Sequence, residues 1–138
     1  MRATAKALKN FVGGFGIPAY ATETVPDDVS LPYLTYPLKE PEWNQKTTFY
    51  IQGWYRTTDY TEMLEKADQI IREVGVGVTI STDSGYIVLY PETPLVQTLV
   101  NDDIRSFYIN LSLNAYQMPG AYPVITQTPA QTQEEGEN

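Results

Sequence analysis

The sequence predicts an α+β fold, in which a mainly antiparallel sheet of about four to five strands packs against one long helix and one N-terminal helix. Between residues 59 and 75, apolar residues recur at the spacing of an amphipathic helix. Residues 47–56, 76–90 and 103–116 instead alternate between apolar and polar, as half-buried strands do. Hydrophobic residues make up 42% of the 138-residue chain, which is enough for the core of one domain.

Residues 2–12 are predicted to form the N-terminal helix, which ends at the Gly13-Gly14 pair. Its apolar residues share one face, and its basic residues point away from that face. The apolar residues are Ala3, Ala7, Leu8, Phe11 and Val12, and the basic residues are Arg2, Lys6 and Lys9. Two interpretations stay open: a helix that only packs on the sheet, or a helix whose basic side faces an acidic neighbouring subunit.

The next segments are loops and strands. Residues 16–30 are predicted to be a loop, and residues 31–36 an edge strand or strand start, because Pro32 cannot donate to a ladder. In the strand at residues 47–56, alternation places apolar side chains on one face and larger polar and aromatic ones on the other. The first set is Phe49, Ile51 and Tyr55, and the second is Tyr50, Gln52, Trp54 and Arg56.

The long helix has clear signals at both ends. Asp59 and Glu62 have the spacing of a capping box, and Gly75 is suited to end the helix. Its apolar face is predicted to pack on the strands and to form the core with them. The predicted core consists of Met63, Leu64, Ala67, Ile70 and Ile71 packed on Phe49, Ile51, Ile80, Leu89, Ile109 and Leu111.

A hairpin over residues 76–90 is predicted to follow. Asp83-Ser84-Gly85 is predicted to be its three-residue loop, with Gly85 in the left-handed conformation. Pro91 and Pro94 are predicted to end the second strand, because proline lacks the N–H that a ladder needs. Residues 95–102 are predicted to be a short helical turn or a loop.

The longest strand is predicted over residues 103–116. Its core face carries Phe107, Ile109, Leu111, Leu113 and Ala115. Residues 120–138 contain mainly Gln, Thr, Pro and Glu, a composition that cannot bury enough apolar surface to fold alone. We therefore expect a single domain at residues 1–119 and a disordered acidic C-terminal tail at residues 120–138.

The composition excludes several kinds of chemistry. The chain has no Cys and no His, so it cannot build a Ser-His-Asp, Cys-His or cysteine-based zinc site. Asp102 and Asp103 are adjacent and would point to opposite faces of a strand, so they mark a loop boundary instead of a metal pair. A net charge of −8 disfavours specific nucleic-acid binding. We expect no catalytic residue, no cofactor and no metal.

Aromatic residues offer the one candidate site. Eleven Tyr and two Trp are more than a core of this size needs, and several lie on the non-core faces of the predicted strands. Tyr and Trp are favoured at protein interfaces. The candidate interface residues are Trp43, Tyr50, Trp54, Tyr108 and Tyr116. Two alternatives stay open: the first helix covers this face within the subunit, or the face binds a carbohydrate or another ligand.

The order of the elements also resembles a known family. The relevant residues are Val25-Pro26-Asp27-Asp28, Leu31-Pro32-Tyr33-Leu34-Thr35-Tyr36, Gln52-Gly53-Trp54, Tyr60 with Glu62, and Asp102-Asp103 before Arg105. Over about residues 3–118 this pattern resembles the tail-terminator, or tail-completion, proteins of long-tailed bacteriophages. Neck and head–tail joining proteins share such features.

The resemblance implies a small α/β subunit with no enzymatic activity that closes the tail tube as a homohexameric ring. The implied partners are further copies of the chain, the tail tube protein and head–tail connector proteins. DNA could pass through such a ring without specific binding, and the protein would reside in the virion after assembly in the host cytoplasm. No run of the sequence approaches the ~20 apolar residues of a membrane span, so no membrane partner is expected.

Overall fold

The computed structural model describes residues 1–41 and 45–117 and has the α+β class that the sequence predicts. Its helices are α1 (Arg2–Val12) and α2 (Tyr60–Val74). Its strands are β1 (Ala19–Ala21), β2 (Tyr33–Tyr36), β3 (Lys46–Arg56), β4 (Val78–Thr82), β5 (Gly85–Asn101) and β6 (Ile104–Gln117). Trp43 and the predicted tail at residues 120–138 lie outside the described residues.

The strands form one curled sheet in the order β1-β2-β3-β6-β5-β4. β1 and β2 pair in parallel, and every other neighbouring pair is antiparallel. The sheet is therefore mixed and has six strands, one or two more than expected. β1 was missed because it has only three residues, too few for alternation to show within a predicted loop.

The prediction of a helical turn or loop at residues 95–102 is wrong. β5 continues through Pro91 and Pro94 to Asn101, with a bulge between Pro91 and Val96 that shifts its register against β6. Prolines are tolerated here because bulges and strand edges do not need every N–H. Asp102-Asp103 is the two-residue turn from β5 to β6, and Asp102 has φ 56°.

Three local predictions also need correction. α2 does start at Tyr60, but the Asp59 side chain makes no capping hydrogen bond; a short 3₁₀ turn at Thr57–Asp59 precedes it instead. The β4–β5 loop has two residues, since Thr82 faces Gly85, and Gly85 is not in the left-handed region. Val76 precedes β4 and is 94% exposed.

The core lies between the helices and the odd-numbered residues of β3 and β6. Phe49 faces Leu111, and Ile51 faces Ile109, across the two strands. Apolar side chains of α1 and α2 belong to the same buried cluster. Every residue of the predicted core is buried except Leu64, Ile71 and Ile80, which are partly buried against the cluster. α1 contacts both β1 and β4, the outermost strands, and so joins the two edges of the sheet.

The environment of Tyr55 predicts that the folded protein loses stability at alkaline pH. Burial, together with the negative charges of Glu62 and Asp59, raises the pKa of Tyr55 to about 12. The fold therefore favours the neutral phenol; this stabilisation is complete below the unfolded pKa of about 10 and disappears as the pH rises towards 12. Melting temperatures should fall across this window, and less steeply for Tyr55→Phe. Identical pH profiles for the two proteins would contradict this assignment.

Candidate interface on the aromatic face of the sheet

The sheet has one face that turns away from both helices. Because side chains alternate along a strand, the even-numbered residues of β3 and β6 lie opposite the buried odd-numbered ones. The strand pairing shows which residues of the neighbouring strands share this face. They are Tyr20 of β1, the odd-numbered residues of β2, and the even-numbered residues in the first part of β5. We call it the aromatic face, after Tyr20, Tyr33, Tyr50, Trp54, Tyr86, Tyr108 and Tyr116.

The aromatic rings on this face contact one another in pairs. Tyr50 and Tyr108 meet edge to face with ring centroids 5.5 Å apart. Tyr33 and Trp54 are stacked at 6.1 Å, and Tyr86 and Tyr116 are stacked at 5.0 Å. These are favourable geometries for aromatic pairs. The pairs, which we call the aromatic band, connect β2 to β3, β3 to β6, and β6 to β5 at three separate places along the strands.

Hydrogen bonds orient two of these aromatic side chains, Trp54 and Tyr116. The Trp54 indole N–H donates to the Thr35 hydroxyl at 3.0 Å. The Asn114 amide donates to the Tyr116 hydroxyl at 2.9 Å. An indole or phenol whose polar group is already bonded within the subunit loses less conformational entropy when a partner covers its ring. The band is thus preorganised for contact.

Two ion pairs lie on the aromatic face, one at each end of β3. Arg56 contacts Asp103 at 3.3 Å, and Lys46 contacts Glu92 at 3.7 Å. A hydrogen bond from the Ser112 hydroxyl, with the nearby Lys46 ammonium, holds the pKa of Glu92 below its usual range. Between these two ion pairs, the side chains of β3 and β6 on this face are aromatic, amide or hydroxyl, and the Tyr86–Tyr116 pair lies beyond the Lys46–Glu92 pair. Charge-depleted centres rich in Tyr and Trp are typical of protein interfaces.

A groove lies beside the rings, between the β5 bulge and the start of β3. It has a volume of about 570 Å³ and polar walls that include Lys46, Thr48, Glu92, Gln97, Asn110 and Ser112. The Asn110 amide donates to the Pro94 carbonyl at 2.8 Å and to the Gln97 amide oxygen at 3.0 Å, which fixes the bulge over β6. The groove is thus a shaped, polar extension of the aromatic face.

Of the four predicted interface residues that the structure describes, Tyr50 and Tyr108 contact each other, while Trp54 and Tyr116 pair with other rings. Tyr50, Trp54, Tyr108 and Tyr116 share the aromatic face and are all half-buried, whereas Trp43 lies outside the described residues. Sequence reasoning missed Tyr86, although the inward positions of Ile87 and Leu89 imply that Tyr86 points outward. It also missed Tyr33, whose contact with Trp54 depends on a strand pairing that alternation does not reveal.

Helix α1 does not cover the aromatic face. Its Leu8 and Val12 are fully buried with the core residues, on the opposite side of the sheet. α2 packs on that same side, against β3, β5 and β6. In the part of the chain that the structure describes, the aromatic face therefore carries no helix. None of the helices described is long and apolar enough to cross a membrane.

The described residues contain no group of three or more acidic side chains that could hold a metal ion. Asp102 and Asp103 occupy the turn between β5 and β6, and Asp103 is paired with Arg56.

No family model and no curated protein matches this chain. A solved structure of a protein whose name describes no function is similar over 86% of this chain and 94% of its own, with a TM-score of 0.56 and 14% identity. At this identity the likeness shows the fold alone.

Proposed function

We propose that this protein is a structural subunit of a bacteriophage virion: a tail terminator that forms a ring, caps the tail tube and joins it to the head. The observation that carries the proposal is the aromatic face, three pairs of aromatic rings on a side of the sheet that both helices leave open. The element order quoted from the sequence supports the choice of the tail-terminator family. Such a subunit needs contact surfaces and no catalytic group.

Ring formation has physical requirements that this subunit can meet. A closed ring is built from heterologous contacts, in which two different surfaces of each copy complement each other. Tyr and Trp contribute large buried areas and retain polar groups that tolerate solvent before assembly. The aromatic face would be one of the two surfaces, with the tail tube protein and head–tail connector proteins stacked above and below the ring. The net charge of −8 suits a channel that DNA passes without adhering.

The test introduces charge into the centre of the aromatic face. Tyr50→Lys/Tyr108→Lys replaces one edge-to-face pair with two cations, which would have to be desolvated in an interface. We expect a folded subunit by circular dichroism that no longer forms the ring by light scattering and no longer binds purified tail tubes. Val76→Lys, at a 94% exposed residue away from this face, is the matched control and should assemble normally. Full assembly of the double variant would refute the role of the aromatic face.

A related neck subunit is an alternative within the same class. A binding experiment with purified tail tubes and with DNA-filled heads that lack tails distinguishes a terminator from a neck subunit. A terminator binds the tubes first, and a connector binds the heads first.

A ligand-binding module is the second candidate, favoured by the groove beside Tyr50 and Tyr108. Sugar rings stack on aromatic side chains, and the Asn110 amide and Ser112 hydroxyl would supply polar contacts. Calorimetry with a panel of soluble oligosaccharides tests this function. Binding by a protein that stays monomeric would favour it over the ring.

A further inference from the structure

The far half of β5 is an open strand edge. β4 pairs only with Gly85–Leu89, so within the described residues no strand lies beside the outer side of β5 from Tyr90 to Asn101. An open edge presents unpaired backbone N–H and C=O groups and is a template for strand addition. Regular pairing with β6 resumes at Val96. We call residues 95–101, from the residue before it to the end of the strand, the β5 edge.

The other edges of the sheet have neighbours elsewhere in the chain. α1 contacts both β1 and β4, which are the outermost strands. The first part of β3 extends beyond its pairing with β2, and there the Lys39 ammonium donates to the Thr48 carbonyl at 3.2 Å. Helices and lysines are two devices by which soluble proteins prevent strand addition. The β5 edge has neither device.

The composition of the β5 edge favours strand pairing. It reads Leu-Val-Gln-Thr-Leu-Val-Asn, with no charge, no proline and no glycine. Leu99 and Val100 are each 52% exposed, which is unusual for large apolar residues on a strand. A segment of this kind is an aggregation hazard unless something pairs with it.

The register indicates which backbone groups are open. Asn101 faces Ile104 across the two-residue turn, and the pair that flanks such a turn exchanges hydrogen bonds. Hydrogen-bonded pairs alternate along an antiparallel ladder, so Gln97 and Leu99 bond to β6. Val96, Thr98 and Val100 therefore direct their N–H and C=O groups outward, away from the subunit.

Two of the three carboxylates that flank this edge are paired within the chain. Asp103 is paired with Arg56, and Glu92 with Lys46. Two copies of a chain with a net charge of −8 repel each other over most of their surfaces. The neutral β5 edge is a place where they can approach without that penalty.

We propose that the β5 edge of a second copy of this chain pairs with this edge, so that the sheets of the two subunits join into one. The inference rests on the proposed function only in that both require copies to associate. It adds a backbone contact, distinct from the aromatic face, to the surfaces that join them.

Thr98→Pro tests the proposal with minimal change to the subunit. Proline at this exposed position removes one outward N–H and no hydrogen bond to β6. Thr98→Val, which keeps the N–H, is the matched control. Sedimentation should show normal assembly for the wild type and for Thr98→Val, and dissociation at concentrations about tenfold higher or more for Thr98→Pro. Val100→Lys, which adds a charge to the edge, should act in the same direction.

Hydrogen exchange on the wild type gives a second measurement that needs no variant. The amides of Val96, Thr98 and Val100 should exchange more slowly in the assembled protein than in the diluted one. A wild type that is monomeric at every concentration would refute both the edge and the ring. Assembly unaffected by Thr98→Pro and Val100→Lys, with no added protection, would refute the edge alone. A dimer or open fibre abolished by Thr98→Pro would support the edge and refute the ring.

Discussion

Leu111→Ala should lower the free energy of unfolding by about 2–5 kcal/mol, the cost of a cavity at a site that cannot collapse. Leu111 is 0% exposed on β6, the strand that pairs with both β3 and β5. Its cross-strand neighbour Phe49 is also fully buried, and α2 packs over β6. Ile70→Ala, on the helix side of the same cluster, should cost a similar amount.

Urea denaturation measures this loss. Leu99→Ala, which removes the same atoms from a half-exposed side chain, is the control and should change the unfolding free energy of the subunit by about 0.5 kcal/mol or less. Leu111→Met keeps most of the volume and should cost less than about 1.5 kcal/mol. If Leu111→Ala and Ile70→Ala both had the unfolding free energy of the wild type, the assignment of these residues to the core would be wrong.

Gly53→Ala should destabilise the protein by about 1–3 kcal/mol or more through overpacking. Gly53 faces Phe107 across β3 and β6, and the Phe107 ring lies over the space where a side chain would be. A Cβ at Gly53 would come within 2.2 Å of Phe107 Cε2 and 2.4 Å of Cζ. Phe107 is 0% exposed, so its ring cannot move without disturbing the core.

A double-mutant cycle isolates this clash. In a Phe107→Leu background the ring is absent, so adding Gly53→Ala should cost much less than it does in the wild type. Gly14→Ala is the control, because a Cβ there would meet nothing within 4 Å. Equal costs for Gly53→Ala in both backgrounds would show that the ring is not the cause.

The predictions that succeeded rest on periodicity over many residues. α2, β3 and β6 each extend over eleven or more residues. Over that length, the apolar positions repeat often enough to identify the buried side of the element. The same alternation predicts that Tyr50, Trp54, Tyr108 and Tyr116 lie on one face, as they do in the sheet. Periodicity is therefore a reliable guide to which side of a long element is buried.

The predictions that failed depend on contacts that are distant in the sequence. Pro91 and Pro94 suggested the end of a strand, but β6 continues as a partner beyond the bulge and keeps β5 extended. β1 exists because β2 lies beside it, and three residues alone carry no pattern. The aromatic band is likewise a product of register, since Tyr33 meets Trp54 only through the β2–β3 pairing.

The position of β6 has a consequence for how the chain folds. The strand that is synthesised last among those described is the one that joins β3 to β5. Until residues 104–117 have emerged from the ribosome, the earlier strands can form only two separate pieces, β1-β2-β3 and β4-β5. Neither piece alone can bury its apolar side chains completely, so the core cannot form before β6 is present. Folding of the sheet should therefore wait until residue 117 has emerged, and the incomplete subunit, with its apolar strands unpaired, is the stage at which a chaperone would be most useful.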